Sequence, residues 1–380
     1  MLNFKLTCSG CKKEYSINTK IWKCTCGSPL DVTYSIDFSK RYFEKIKDRT
    51  YTVWRYHEML PVDKKSIVSL GEGCAPIIKR KFQKINLYLK IDYLNPTGSF
   101  KDRGSTVLIS FLKRLGVKEI VEDSSGNAGA SIAAYSSAAG MKCSIYVPEK
   151  APHPKIMQIK SYNAEIVKVS GDRSRVHEEA LKASKKSFYA GHLWNPLFIE
   201  GLKTLSYEIY EHGISVDAVV VPIGSGGNAI GIYKGFRDLL EMDAITSMPR
   251  IYGVQAVGYA PIYEALYREY RTEKVDEPFA DGIAVPDPPR KNQIARIIRE
   301  TEGDVVLVNN YQILQALRKL AKWGFFVEPT SATVLAATEY LIDSGMLDSH
   351  EKILLPLTGF GFKALDKIEK ISENYYNKES

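Results

Sequence analysis

Short apolar runs alternate with helical stretches along most of this chain, from about residue 85 onward. The runs are nearly continuous in valine, isoleucine and leucine, which is typical of strands buried on both faces of a parallel sheet. They are residues 86–91, 118–123, 142–147, 164–169, 217–223, 251–257, 304–308 and 352–357. Strands and helices in alternation predict an α/β fold. The last long helix is predicted to begin at a cap on Thr330 or Ser331 and to end at Gly345.

The size and composition of the chain limit what kind of protein it is. A chain of 380 residues is long enough for two domains, and no run of eighteen apolar residues occurs, which excludes a membrane span. Six cysteines are too few for a disulfide scaffold, so we expect reduced thiols and a cytoplasmic location. The net charge of +8 comes from basic residues spread along the chain. This favours a solvated surface or a small anionic substrate over nucleic acid.

The first 35 residues contain a cluster of cysteines. Cys8 and Cys11 form a C-x₂-C pair, and Cys24 and Cys26 form a C-x-C pair. Two such pairs resemble a zinc ribbon, in which four thiolates hold a structural metal ion. The C-x-C pair is tighter than the usual spacing, so a ribbon that folds without metal is the alternative. The predicted domains are this unit (1–35), a large α/β domain with an N-terminal arm (36–110 and 201–380) and a small α/β domain (111–200).

Two junctions between a strand and a helix are rich in glycine. They are VEDSSGNAGAS (121–131) and VPIGSGGNAIG (221–231). Glycine lets backbone N–H groups converge on an anion at the start of a helix, although a bare turn needs glycine as well. The second junction also fits the dinucleotide pattern G-x-G-x-x-A, but Gly258 and Tyr259 follow the next strand where that pattern requires an acidic residue. We therefore predict a phosphate site at residues 224–228 and no nicotinamide site.

One lysine lies in an unusual setting, NPTGSFKDRG (95–104). An isolated lysine is normally a solvated side chain, but Lys101 follows a turn of small residues and adjoins Phe100. Such surroundings favour a partly buried amine, as a Schiff-base lysine requires. Asp102 and Arg103 are predicted to stabilise the turn by pairing locally. The histidines show no paired spacing and are predicted to be surface or satisfied residues.

Together, these motifs resemble the fold type II pyridoxal-phosphate enzymes, and among them the threonine synthases. The resemblance covers nearly the whole chain. It rests on the cysteine unit, RYHEMLPV (55–62), SLGEGCAPI (69–77), NPTGSFKDRG, SSGNAGAS, EGLKT (200–204), PIGSGGN (222–228), EPTSA (328–332) and PLTGFGFK (356–363). It implies pyridoxal phosphate as cofactor, a homodimer and, because many of these enzymes carry such an N-terminal segment, one structural zinc ion.

The resemblance also implies roles for particular residues. Lys101 would hold the cofactor as a Schiff base and then move protons. Asn127 would bond to the phenolic oxygen of the cofactor, and Thr358 would meet its pyridine nitrogen. The cofactor phosphate would be held by Gly224, Ser225, Gly226, Gly227 and Asn228. The substrate carboxylate would be bound by Ser124, Ser125, Gly126 and Asn127.

One motif departs from the family. Threonine synthases usually have N-P-[YF]-R-x-E-G-Q-K-T, whose arginine binds the phosphate of O-phosphohomoserine, whereas this chain has NPLFIEGLKT (195–204). Phe198 replaces the arginine and Leu202 the glutamine, and phenylalanine offers no bidentate contact to phosphate. Lys155 or Lys203 could meet the phosphate instead.

Three functions remain open on the sequence alone. The first is threonine synthase. The second is a related enzyme with another substrate, namely a serine or threonine dehydratase or an enzyme that makes cysteine or cysteate from O-phosphoserine. The third is a basic zinc-ribbon protein that binds nucleic acid.

Overall fold

The computed structural model describes residues 2–151, 153–268 and 278–370. Its strands are β1 Lys5–Cys8, β2 Glu14–Ser16, β3 Leu30–Thr33, β4 Ile77–Phe82, β5 Ile85–Lys90, β6 Glu119–Glu122, β7 Lys142–Pro148, β8 Glu165–Val169, β9 Phe188–Tyr189, β10 Ala218–Pro222, β11 Arg250–Ala256, β12 Val305–Val308 and β13 Lys352–Pro356.

The α-helices are α1 Arg41–Lys45, α2 Lys101–Arg114, α3 Asn127–Ala138, α4 His153–Ser161, α5 Arg173–Ala183, α6 Pro196–Leu202, α7 Thr204–Glu211, α8 Gly227–Glu241, α9 Pro261–Leu266, α10 Lys291–Glu300, α11 Asn310–Lys322 and α12 Pro329–Asp343. Short 3₁₀ helices occupy Val53–Met59, Lys64–Ser66, Asp92–Leu94, Asp281–Ile283 and Gly361–Ala364.

The chain divides into two compact units. The first comprises Met1–Cys74, Asn95–Glu208 and Asp238–Ile245, and the second comprises Ala75–Leu94, Ile209–Arg237 and Thr246–Ser380. Residues 36–74 fall in the first unit here, whereas the sequence-based division groups 36–110 with 201–380. The predicted domain boundaries stay a prediction.

The first unit contains two sheets. Strands β2-β1-β3 form an antiparallel sheet close to the N-terminus, and β8-β7-β6-β9 form a parallel sheet. In the parallel sheet β6 is almost fully buried, as its run of isoleucine and valine predicts. The loop between β6 and α3 therefore starts at the carboxyl end of a central strand, where α/β folds bind ligands.

The second unit is built on a six-stranded sheet in the order β12-β11-β10-β13-β5-β4. All pairs are parallel except β4 with β5, which is antiparallel and places β4 at one edge. The central strand β10 is buried at every residue. Its carboxyl end leads directly into the second glycine-rich junction.

Each predicted apolar run forms a strand, and the predicted α/β fold is confirmed. The predicted cap of the last long helix was wrong. Helix α12 begins at Pro329, so Glu328 occupies the cap position, and no side-chain cap bond is made there. Proline favours the first helical position because its fixed φ suits a helix and its missing N–H would be unpaired there anyway. No helix within the described ranges combines the length and the apolar character that crossing a bilayer requires.

Candidate active site

Lys101 is the first residue of α2, and the turn before it is held by a buried carboxylate. Asp102 is fully buried and accepts hydrogen bonds from the Thr97 backbone N–H (2.7 Å), the Thr97 hydroxyl (2.6 Å) and the Ser131 hydroxyl (2.5 Å). These bonds tie residues 97–102 to α3 and limit the positions that the Lys101 backbone can take. Asp102 thus pairs locally, as expected, whereas Arg103 was predicted wrongly. Its buried guanidinium pairs with Glu208 in α7.

The Lys101 side chain lies between two aromatic rings. Its Nζ is 4.7 Å from the ring centroid of Phe100 and 5.7 Å from that of Phe198. Helix α2 approaches α6 closely at Gly104, where an added Cβ would lie 2.6 Å from the Phe198 ring. Only glycine fits there, and the Phe198 ring is consequently held beside the lysine. Lys101 is half-buried beside these two rings, and a partly buried position is what the sequence predicts.

The SSGN loop joins β6 to α3. Ser124 is buried, Ser125, Gly126 and Asn127 are half-buried, and α3 begins at Asn127 with no acidic residue in its first turn. The Ser124 hydroxyl accepts a 3.3 Å bond from the Gly126 N–H. A helix start with accessible N–H groups and no acidic residue in its first turn suits a carboxylate.

Two acidic residues directly before this loop were missed by the sequence reasoning. Glu122 Oε1 lies 2.9 Å from His192 Nδ1, and Asp123 Oδ2 lies 2.9 Å from His177 Nδ1. The Tyr189 hydroxyl also donates to Asp123 (2.8 Å). Nδ1 of each of these two histidines therefore has a carboxylate partner that is distant in sequence. Two successive acidic residues at the end of a buried strand are the signal that could have indicated them, because isolated charges are not buried without partners.

Burial changes the protonation of these pairs in different ways. Burial, followed by the charge of Asp123, raises the pKa of Glu122 well above its usual range. The pKa of Asp123 is lowered instead. Burial raises this pKa, but the hydrogen bond from His177 and the charge of Arg173 lower it by more. Burial and the charges of Lys101 and Arg173 hold the pKa of His192 well below its usual range.

The phosphate-loop residues 224–228 follow β10 in the second unit. Gly226 has φ +79°, and a Cβ there would lie 1.9 Å from Ile294 Cδ1, so the loop can be made only with glycine at this position. Both amide atoms of the buried Asn228 lack a hydrogen-bond partner among the described residues. A buried amide without a partner is unfavourable, and the oxygen of a bound anion would accept a hydrogen bond from Asn228 Nδ2. The residues present thus fit a phosphate group.

Thr358 is also in the second unit and is held by a serine that the sequence reasoning overlooked. Ser331 Oγ lies 3.0 Å from the Thr358 hydroxyl and accepts bonds from the N–H groups of Thr358 (2.9 Å) and Gly359 (2.8 Å). The buried Thr358 hydroxyl is consequently fixed in direction. Ser331 lies in the EPTSA motif, which was the available signal.

Comparison with known proteins decides the family. The family model for pyridoxal-phosphate dependent enzymes matches residues 68–359. The threonine synthase of Methanocaldococcus jannaschii is 35% identical in an alignment of 382 positions that covers 96% of this chain and 94% of that protein. The chain belongs to the threonine synthase family of pyridoxal-phosphate-dependent enzymes. The threonine synthase of a Bacillus species is likewise 35% identical, over 82% of this chain and 90% of that protein.

Two solved enzyme structures share the fold of this chain. A tomato threonine deaminase isoform superimposes with a TM-score of 0.68 at 23% identity, over 84% of this chain and 92% of that one. An aspartate racemase gives a TM-score of 0.67 at 24% identity, over 86% and 96%. The predicted fold type II architecture and the predicted family are confirmed.

The two lysines considered for the substrate phosphate differ in what the structure describes. The Lys155 side chain lies outside the described residues. Lys203 is fully buried, with its Nζ 2.9 Å from Glu200, 3.3 Å from Asp238 and 2.6 Å from the Tyr34 hydroxyl. Its charge is therefore neutralised within the protein. Phe198 is fully buried too and presents only a ring.

The four N-terminal cysteines lie together. Their sulfur atoms are all within 4.8 Å of one another, with Cys8 and Cys26 3.5 Å apart and Cys11 and Cys24 3.6 Å apart. Two thiolates on one tetrahedral zinc ion, each about 2.3 Å from the metal, would be about 3.8 Å apart. The Tyr15 hydroxyl, 3.1 Å from Cys24 Sγ, lowers the pKa of that thiol to about 5. The donor set fits zinc.

Proposed function

We propose that the protein is a pyridoxal-phosphate-dependent threonine synthase, which converts O-phosphohomoserine and water into threonine and phosphate. The observation that carries this proposal is the match to threonine synthases along almost the whole chain, 35% identical over 96% of it. The departures at Phe198 and Leu202 affect the part of the site that would meet the substrate phosphate, and so the reaction class is better supported than the substrate.

The cofactor would be held by the residues that the resemblance implies. Lys101 would bind it covalently, and residues 224–228 would hold its phosphate. Asn127 would bond to its phenolic oxygen, and Thr358 would meet its pyridine nitrogen. When bound, pyridoxal phosphate supplies an electron sink for the substrate. Thr358, fixed by Ser331, would offer the pyridine nitrogen a hydroxyl and no charge. Lys101 would move protons at the substrate carbons, and the loop 124–127 would bind the substrate carboxylate.

A related enzyme with another substrate is the second candidate, and the buried ring of Phe198 favours it. We expect purified holoenzyme to release inorganic phosphate from O-phosphohomoserine and to form little keto acid from threonine or serine. Phosphate assays and keto-acid assays at matched enzyme concentrations measure the two reactions. Keto acid without phosphate release would assign the protein to the dehydratases. Phosphate released from O-phosphoserine in preference would indicate a cysteine- or cysteate-forming enzyme.

The cysteine cluster is proposed to hold one structural zinc ion. Four protein ligands leave no open position for chemistry, so the ion would stabilise the N-terminal sheet. Protein purified without chelator is expected to contain about one zinc per chain. Elemental analysis of Cys8→Ser and Cys24→Ser should show the metal lost, while Cys74→Ser, the same change outside the cluster, should retain it. Equal zinc in all three variants, or none in the wild type, would rule out this site.

The remaining expectations concern partners and location. The resemblance to the threonine synthases supports a homodimer. The spread of basic residues along the chain supports a small anionic substrate rather than nucleic acid. The cytoplasmic location is proposed from cysteine usage. Sedimentation of the holoenzyme would measure the oligomeric state.

A further inference from the structure

Glu122 and His192 are joined by two contacts at the carboxyl end of β6. The Glu122 carboxyl group is fully buried, and it faces His192 twice, with Oε2 accepting from the His192 backbone N–H (3.1 Å) and Oε1 lying 2.9 Å from Nδ1. The His192 side chain is 10% exposed. Its other ring nitrogen, Nε2, makes no hydrogen bond to any described residue. The pair thus fixes the imidazole while leaving one nitrogen available.

The His192 ring, which carries this available nitrogen, and the Lys101 side chain both lie beside Phe198. The His192 ring and the Lys101 Nζ each lie 5.7 Å from the ring centroid of Phe198. The Lys101 charge also acts on both His192 and Glu122. Phe198 has no polar atom in its side chain, whereas the His192 ring beside it carries a nitrogen that can form a hydrogen bond. The SSGN loop begins two residues after Glu122.

The charges around the pair favour one arrangement of protons. Glu122 is influenced by the charges of Asp123, which directly follows β6, and of Lys101 in α2. Arg173 and His177 in α5 and Tyr189 in β9 lie close to Asp123. The raised pKa of Glu122 favours a protonated carboxyl group, and the lowered pKa of His192 favours a neutral imidazole. Glu122 then donates its O–H to Nδ1, and the imidazole carries its own proton on Nε2, directed away from the carboxyl group.

We propose that His192, positioned by Glu122, is the acid that protonates the phosphate group as it leaves the substrate. This inference rests on the proposed function. A phosphate monoester that departs without a proton leaves as the trianion, which is a strong base and a poor leaving group. Phe198 cannot offset that charge. A proton delivered to the bridging oxygen allows the group to leave as hydrogen phosphate.

The step balances in protons and electrons. The Cβ–H bond breaks, its proton passes to Lys101, and its electron pair expels the leaving group. The Cγ–O bond breaks with its electron pair going to the bridging oxygen, which takes the proton from His192 Nε2. The Glu122 proton moves to Nδ1 and keeps the imidazole neutral, leaving a carboxylate. Lys101 then returns its proton to Cγ, which becomes the methyl group of the product. The water that adds at Cβ releases one proton, which restores Glu122.

A change of leaving group tests the proposal in holoenzyme. O-sulfohomoserine has nearly the shape of O-phosphohomoserine, but sulfate leaves as a stable anion and needs no proton. With O-phosphohomoserine, His192→Gln is expected to lower kcat by about 100-fold or more, which is the range for loss of a general acid. With O-sulfohomoserine, the same variant should lose less than about 5-fold, because no proton is required. Glu122→Gln, which keeps a hydrogen bond but holds no transferable proton, should show the same selectivity.

The neighbouring pair supplies a matched control. His177→Gln removes the imidazole that is paired with Asp123, and it should leave the ratio of the two substrates unchanged. The visible absorbance of bound cofactor confirms that each variant is folded. Equal losses on both substrates would assign the Glu122–His192 pair a purely structural role. Wild type that uses O-phosphohomoserine but not O-sulfohomoserine would also contradict the acid role, because a better leaving group should depart at least as readily. Wild type that releases no phosphate at all would overturn the proposed function, and the inference with it.

Discussion

Replacing Lys101 with alanine is expected to abolish the visible absorbance of bound cofactor and to lower the rate of phosphate release by about 10,000-fold. The amine would make the covalent link to the cofactor and move the protons of the reaction, so both functions disappear with it. The Phe100 and Phe198 rings beside Nζ limit its solvation. Absorbance spectra and phosphate assays on the same preparation measure the two losses together.

Two further variants distinguish the role of the Lys101 amine from the role of its positive charge and from a general effect of changing a lysine in α2. Lys101→Arg keeps a positive charge but cannot form an imine, so we expect it to be as inactive as the alanine variant. Lys113→Ala changes an exposed lysine in the last turn of the same helix and should retain both absorbance and activity. If Lys101→Ala kept the absorbance band, or Lys101→Arg were active, another lysine would have to carry the cofactor.

Replacing Glu208 with alanine is expected to lower the free energy of unfolding by about 3–5 kcal/mol, because an unpaired charge would remain buried. The Arg103 guanidinium is fully buried and is paired with Glu208 through both terminal nitrogens, with NH2 and Oε2 2.8 Å apart. Glu208 also accepts from the Cys74 N–H (2.8 Å), and Arg103 donates to the Thr204 hydroxyl (3.2 Å). The pair therefore connects α2, α7 and the chain before β4. Denaturant unfolding of the variant and the wild type measures the difference.

The matched control is an acidic residue at the surface. Glu179 pairs with Arg175 (2.8 Å) and Lys182 (2.9 Å), but it is partly exposed and its partners are half exposed, so Glu179→Ala should change stability far less than Glu208→Ala. A double variant, Arg103→Met with Glu208→Leu, should recover much of the loss because no buried charge remains. Equal effects of Glu208→Ala and Glu179→Ala would show that the buried pair does not stabilise the fold.

The parts of the structure that could be predicted from sequence are those determined by local pattern. Buried parallel strands have continuous apolar runs, and the loops that follow β6 and β10 have glycine where backbone must approach closely, so both were recognisable. The turn before Lys101 was recognisable because its small residues are adjacent in the sequence. The cap of α12 was misplaced because Pro329 and Thr330 both indicate the start of a helix. Proline is favoured at the first helical position, and the helix begins there.

The parts that could not be predicted depend on contacts between distant residues. Glu122 and His192 are 70 positions apart, and Arg103 and Glu208 are 105 apart. Histidine spacing along the chain gives no information about such pairs, because the partner is chosen by the packing of separate elements. Ser331 and Thr358 are 27 positions apart, so the serine that directs the threonine hydroxyl also became apparent only in the fold.

The antiparallel strand at the margin of the six-stranded sheet has a consequence for self-association. β4 pairs only with β5 within that sheet, and its sequence IIKRKF places Lys79, Arg80 and Lys81 in succession. A second copy that paired with this strand would bring two rows of positive charge together, and their repulsion would oppose the pairing. Charged edge strands are a common protection against edge-to-edge aggregation. The subunits of a dimer are therefore expected to meet on another surface, and this border of the sheet should help to keep the concentrated protein from aggregating.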